Sequence, residues 1–81
     1  MNLQDFANNR GKIVVPVEEN TEFFPKGILS SDKKTKLRYK IGAVKTWKRD
    51  ATRFEISLQR GLYEHYKVTT VKEMSLFELY K

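Results

Sequence analysis

The chain has 81 residues and carries 16 Lys and Arg against 10 Asp and Glu, a formal net charge of +6. That length supplies one domain with one core, and five Phe, four Tyr and one Trp are too many large apolar groups for a disordered tail. The lack of cysteine excludes disulfides, thiolate metal sites and thiol nucleophiles, and it fits a reducing, cytoplasmic setting. No apolar run nears the ~18 residues of a membrane span, and no basic-then-apolar export leader opens the chain.

Residues 2–9 read as a short helix. Asn2 can cap it, Asp5 falls at the third helical position, Leu3, Phe6 and Ala7 share one face, and Gly11 ends it. Two or three turns are marginal alone, so this helix must dock on something. Ile13–Val17 is a β-branched apolar run. Pro16, which lacks a ladder donor, makes that strand an edge or a short one. Glu18–Asn20 is a polar turn, Glu22–Phe24 a brief strand closed by Pro25 and Gly27, and residues 30–34 a loop.

Residues 36–47 form the longest strand candidate, with Leu37, Tyr39 and Ile41 alternating with Arg38 and Lys40 until Gly42 interrupts. After a polar turn at 48–52, Phe54, Ile56 and Leu58 alternate inward. Arg60-Gly61 makes a tight hairpin, and Leu62–Thr70 returns with Leu62, Tyr66 and Val68 on one face and Tyr63, His65 and Lys67 on the other. Thr70 and Glu73 have capping-box spacing, as do Ser75 and Glu78, and Val71, Met74, Phe77 and Tyr80 repeat every three residues, so a C-terminal helix is expected. The predicted fold is α+β: a small, strongly bent antiparallel sheet or partly closed barrel of about five short strands, with a meander at 36–70 and short helices at both ends. In size and strand count it resembles small SH3-like or OB-like barrels, a likeness of architecture only.

The sequence offers little for catalysis. His65 is the only histidine and sits on a predicted strand, where an ordinary solvated side chain is the simpler reading than a general base. Glu18 and Glu19 are turn carboxylates with nothing to separate their acidities. Ser30, Ser31, Ser57 and Ser75 lack an activating neighbour, and Gly27, Gly42 and Gly61 are too scattered to cradle a phosphate. No catalytic residue, metal site or cofactor is expected.

The charge is the sharper signal. Residues 33–53 hold nine Lys or Arg against Asp50 alone, while the remainder of the chain is slightly acidic. Such clustering costs self-repulsion and points to a partner that neutralises it. On a strand, Lys36, Arg38 and Lys40 share one face about 6.6–6.8 Å apart, twice the rise per residue, a spacing on the scale of successive phosphates in an extended strand. Lys33, Lys34, Lys45, Lys48, Arg49 and Arg53 flank them. The plainer reading is a solvated outer face, or an edge protected by lysines.

Trp47 depends on Gly42. In a straight strand Trp47 joins Leu37, Tyr39 and Ile41 in the core, the expected place for the one tryptophan of a small domain. A bulge at Gly42 would instead turn Val44 inward and put Trp47 on the basic face, where it could stack on bases. Tyr63 is a second stacking candidate. The function expected is a non-catalytic nucleic-acid-binding module contacting phosphates through Lys36, Arg38, Lys40, Lys45, Lys48, Arg49 and Arg53, with Trp47 or Tyr63 stacking and no strong preference for sequence. The alternative is a small regulator or inhibitor that docks the same basic face on an acidic protein. A membrane partner is not expected.

Overall fold

A computed structural model describes residues 1–81. Helix α1 (Leu3–Asn8) is followed by β1 (Ile13–Pro16), β2 (Tyr39–Thr46), β3 (Phe54–Arg60), β4 (Glu64–Val68), the one-turn helix α2 (Val71–Met74) and β5 (Phe77–Leu79). The strands form one antiparallel sheet in the order β4-β3-β2-β1-β5. β4 and β5 lie at opposite edges and do not pair, so the sheet is open and not a closed barrel. No helix is long and apolar enough to cross a membrane.

Local signals account for α1. The Asn2 side chain accepts from the Asp5 amide at 2.8 Å and the Asp5 carboxylate accepts from the Asn2 amide at 2.9 Å, a complete reciprocal cap. Phe6, fully buried, carries the helix onto the sheet. The alternation in β3 buries Phe54, Ile56 and Leu58, and these meet Tyr39 and Ile41 of β2, Val14 of β1 and Val68 of β4. Beneath them lies an aromatic cluster in which Phe77 meets Phe6, Phe23, Phe24 and Tyr39 at ring separations of 5.6–6.5 Å.

Five strands were expected and five form, but they are not the same five. Glu22–Phe24 is a turn. The Asn20 side chain accepts from the amides of Glu22 and Phe23 at 3.1 and 3.0 Å, which lets both Phe23 and Phe24 pack into the aromatic cluster, their rings 4.9 Å apart. Adjacent residues on a strand would point to opposite faces.

The fifth strand comes from the segment predicted as the C-terminal helix. The capping signal holds for one turn: the Thr70 hydroxyl accepts from the Glu73 amide at 3.1 Å. Beyond it the chain pairs with β1, through the Val17 amide to the Leu76 carbonyl at 2.8 Å and the Tyr80 amide to the Ile13 carbonyl at 2.9 Å. Of the four residues of that repeat, Met74 and Phe77 are buried, whereas Val71 and Tyr80 are 72% and 50% exposed. β1 is therefore short, as Pro16 required, but it is not an edge. Ile13 and Val17 bond to the β5 side, so Pro16 faces β2, whose pairing with β1 has already ended at Val14.

Two boundaries move. β2 begins at Tyr39, because Lys36 and its neighbours pair backwards: Leu37 donates to the Ile28 carbonyl and Ser30 to the Thr35 carbonyl, both at 2.8 Å, forming a small ribbon with a bridge between Leu29 and Lys36. At its tip the Asp32 carboxylate accepts first from the Ser30 hydroxyl and then from the Lys34 and Thr35 amides, which hold its pKa down at about 2. The β3–β4 hairpin pairs Arg60 with Glu64, so its loop spans residues 61–63 and leaves Leu62 79% exposed instead of inward.

Gly61 turns that loop at φ +69°, with open space where a β-carbon would stand. The cost of a side chain here is therefore backbone strain alone. Gly61→Val is expected to lower stability by about 1 kcal/mol or more, and Gly61→Asn by clearly less, since Asn tolerates the left-handed region. Denaturant midpoints of the two variants check this.

Tyr39 is 2% exposed, and burial pushes its phenol up to about 12, with the neighbouring Tyr66 adding to the rise. Below its ordinary value of 10 the phenol is neutral in both folded and unfolded chains, and the benefit is complete. Between 10 and about 12 only the unfolded chain ionises, so stability falls as pH rises across that window. Tyr39→Phe should flatten this fall, as measured by urea unfolding at successive pH values.

Candidate nucleic-acid interface

The outer face of the sheet is organised by one extra residue. Ile41 pairs with Leu58, but Val44 pairs with Ile56, so three steps along β2 match two along β3. The surplus falls at Gly42-Ala43 as a β-bulge. A β-carbon on Gly42 would make ordinary contact, at 3.4 Å, with the Ser57 Cβ and the Ser57 carbonyl oxygen, so β2 and β3 pack closely at the bulge. Downstream of it the parity inverts: Val44 is half-buried on the core side, and Lys45 faces outward.

Trp47, two residues beyond Lys45, follows it outward. The expectation that it belongs to the core is overturned. It is half-buried, has no place in the apolar cluster, and carries the Arg53 guanidinium 4.1 Å above its ring. Arg53 precedes the inward Phe54 and so shares the outer side.

The pairing adds neighbours. Lys40 lies opposite Gln59, which lies opposite His65, and Ser57 lies opposite Lys67. The outward carboxylate of these central strands, Glu55, is held by Lys67 at 3.6 Å. Lys40, Lys45, Trp47 and Arg53 thus share an open face floored by Gly42, Ala43, Ser57 and Gln59. Lys48 and Arg49 extend it along the β2–β3 turn, where Asp50 is occupied by the Thr52 hydroxyl and amide, which lower its pKa. Lys40, Lys45, Lys48, Arg49 and Arg53 form no ion pair.

Two of the expected residues stand apart from this group. Lys36 belongs to the 28–37 ribbon and not to β2, and lies 3.9 Å from Glu78. Arg38 precedes β2, donates to the Tyr80 hydroxyl at 2.9 Å and lies 4.4 Å over that ring. Lys33 and Lys34 sit at the ribbon's tip, exposed. Tyr63 is 91% exposed in the β3–β4 loop, at the end of the sheet away from Trp47, about 20 Å off by strand rise, so the two stacking candidates are not brought together. Sequence reasoning missed Gln59 as a neighbour of Lys40 and Tyr80 as the seat of Arg38. The alternation of β3 pointed to the first, whereas the second required β5 to be a strand.

No family model, curated protein or solved structure matches this chain.

Proposed function

We propose that the protein is a non-catalytic nucleic-acid-binding module, working in the cytoplasm, whose outer sheet face takes an anionic strand. One observation carries this reading: Lys40, Lys45 and Arg53, none paired with an acid, share an open face with the half-buried Trp47. Cations so placed release the counterions of a phosphate backbone, and the indole, or the guanidinium lying on it, offers a flat surface for a base. Lys48 and Arg49 add contacts from the turn. Arg38 and Lys36 reach the same strand only at its far end.

The lone tryptophan is its own reporter. Titration with single-stranded and duplex oligonucleotides at several salt concentrations should quench Trp47 fluorescence. Log affinity should fall with log salt by about 0.7–0.9 per phosphate contact. No binding to either form at low salt would overturn the proposal.

Docking on an acidic protein is the second reading. It rests on the same unpaired cations, among them Arg53 seated on Trp47, an arginine and aromatic pair of the kind enriched at protein interfaces. Capture of an acidic protein that is lost on Arg53→Ser, without oligonucleotide binding, would favour it.

A further inference from the structure

The opposite face of the sheet is not fully covered. α1, α2 and Phe24 close it toward β1 and β5, but between the 28–37 ribbon and the β3–β4 hairpin a half-open groove of about 630 Å³ remains. That lies within the ~300–1,000 Å³ range of small-molecule sites. Phe23, Ile28, Leu29 and Leu37 supply apolar walls, and Tyr39 and Tyr66 the floor. Leu29 is 48% exposed, so this apolar surface meets solvent.

The polar groups at one end are unevenly satisfied. The Glu64 carboxylate accepts from Tyr66 and from Arg60, both at 2.9 Å, and these bonds lower its pKa, with Lys26 contributing at longer range. Both bonds fall on its Oε2 and tie that oxygen to Arg60 and Tyr66. The Tyr39 side chain, nine-tenths buried and more, has no hydrogen-bond partner in the chain for its hydroxyl, which is not sealed in the core and lines the groove. Lys26, Lys33 and Glu19 line it too, and none of the three forms an ion pair, which leaves two free cations against one free acid. Donors without acceptors, cations in excess of free acids and an apolar trough together describe the complement of an amphipathic anion.

We propose that this groove binds a small amphipathic carboxylate, its head accepting from the Tyr39 hydroxyl beside Lys26 and Arg60 and its apolar body lying along Ile28, Leu29 and Leu37. The site is independent of the outer face. It is reached from the other side of the sheet and uses none of the residues assigned to nucleic acid. Because burial keeps the Tyr39 phenol protonated far above neutral pH, it remains a donor under ordinary conditions.

Amide chemical-shift titration of the native protein tests this, with octanoate as probe, octan-1-ol as the uncharged tail and acetate as the head alone. Octanoate should shift the amides of Ile28, Leu29, Leu37, Arg60 and Tyr66 and leave those of Lys45 and Trp47 in place. Octan-1-ol should bind at least about tenfold more weakly, for want of the charge-assisted bonds, and acetate should not saturate. Lys26→Ser should weaken octanoate several-fold, as should Tyr39→Phe. Leu29→Asp, at a half-exposed position that tolerates polarity, should abolish binding with the spectrum otherwise native. No octanoate shifts at millimolar concentration, equal affinity for octan-1-ol, or shifts centred on Trp47 would each overturn the proposal, and none of these results bears on oligonucleotide binding.

Discussion

Phe77→Ala is expected to leave the protein with little or no stable fold at 25 °C. Phe77 is 1% exposed and meets four other rings, those of Phe6, Phe23, Phe24 and Tyr39. It joins α1, the 20–25 turn, β2 and β5 in one contact set. Truncating a core aromatic costs roughly 3–5 kcal/mol, and the whole stability of a small domain lies near about 5 kcal/mol. Phe77→Leu, which keeps much of the volume, should retain a cooperative transition at a lower midpoint. Thermal unfolding followed by circular dichroism separates the two. A stable, cooperative Phe77→Ala variant would mean that the aromatic cluster does not hold β5 to the sheet.

The second large effect concerns binding. Changing Lys40 and Lys45 to Ser together with Trp47→Ala should abolish measurable oligonucleotide binding at physiological salt and leave the fold intact. Two lost phosphate contacts should flatten the salt dependence by roughly 1.4–1.8 in the log–log slope. Loss of one stacked base removes a further ~1–3 kcal/mol, about 5- to 150-fold in affinity. The fold should survive, with most of any lost stability coming from Trp47. Both lysines are exposed, and such sites shift stability by under about 0.5 kcal/mol. Trp47 is half-buried but lies outside the core cluster, so its truncation gives up packing as well as the contact with Arg53, a cost within the ~0.5–3 kcal/mol usual for a single substitution. Because this variant lacks tryptophan, anisotropy of a labelled oligonucleotide is the suitable readout. Binding that survives the triple change would place the site elsewhere. Lys36→Ser serves as the internal comparison: Lys36 lies on the ribbon beside Glu78, and its loss should matter little.

Much of the architecture was legible in the residues because the signals involved are local. The Asn2–Asp5 cap, the turn at Gly61 and the alternation of Phe54, Ile56 and Leu58 each depend on contacts within a few positions or on the parity of one strand, and each appears in the structure. The concentration of cations at 33–53 was equally plain, and so were the inward Tyr39 and Ile41. These features define an α+β protein with an antiparallel sheet and a basic central strand.

Three features were decided only by the assembled sheet. Val71, Met74, Phe77 and Tyr80 satisfy a helical repeat, but Phe77 and Leu79 satisfy a strand equally well, and the choice fell to the free edge of β1, whose amides and carbonyls needed partners. β1 became interior for the same reason, with Pro16 placed where the neighbouring ladder had already stopped. The side taken by Trp47 turned on one unpaired residue at Gly42-Ala43, which exists only relative to the register of β3. Alternation along a single strand cannot reveal a bulge, because a bulge is a mismatch in length between two strands. Composition and period thus determined which segments alternate and where the charge lies. Pairing across the sheet determined which face Trp47 joins, and with it whether the basic strand carries an aromatic surface at all.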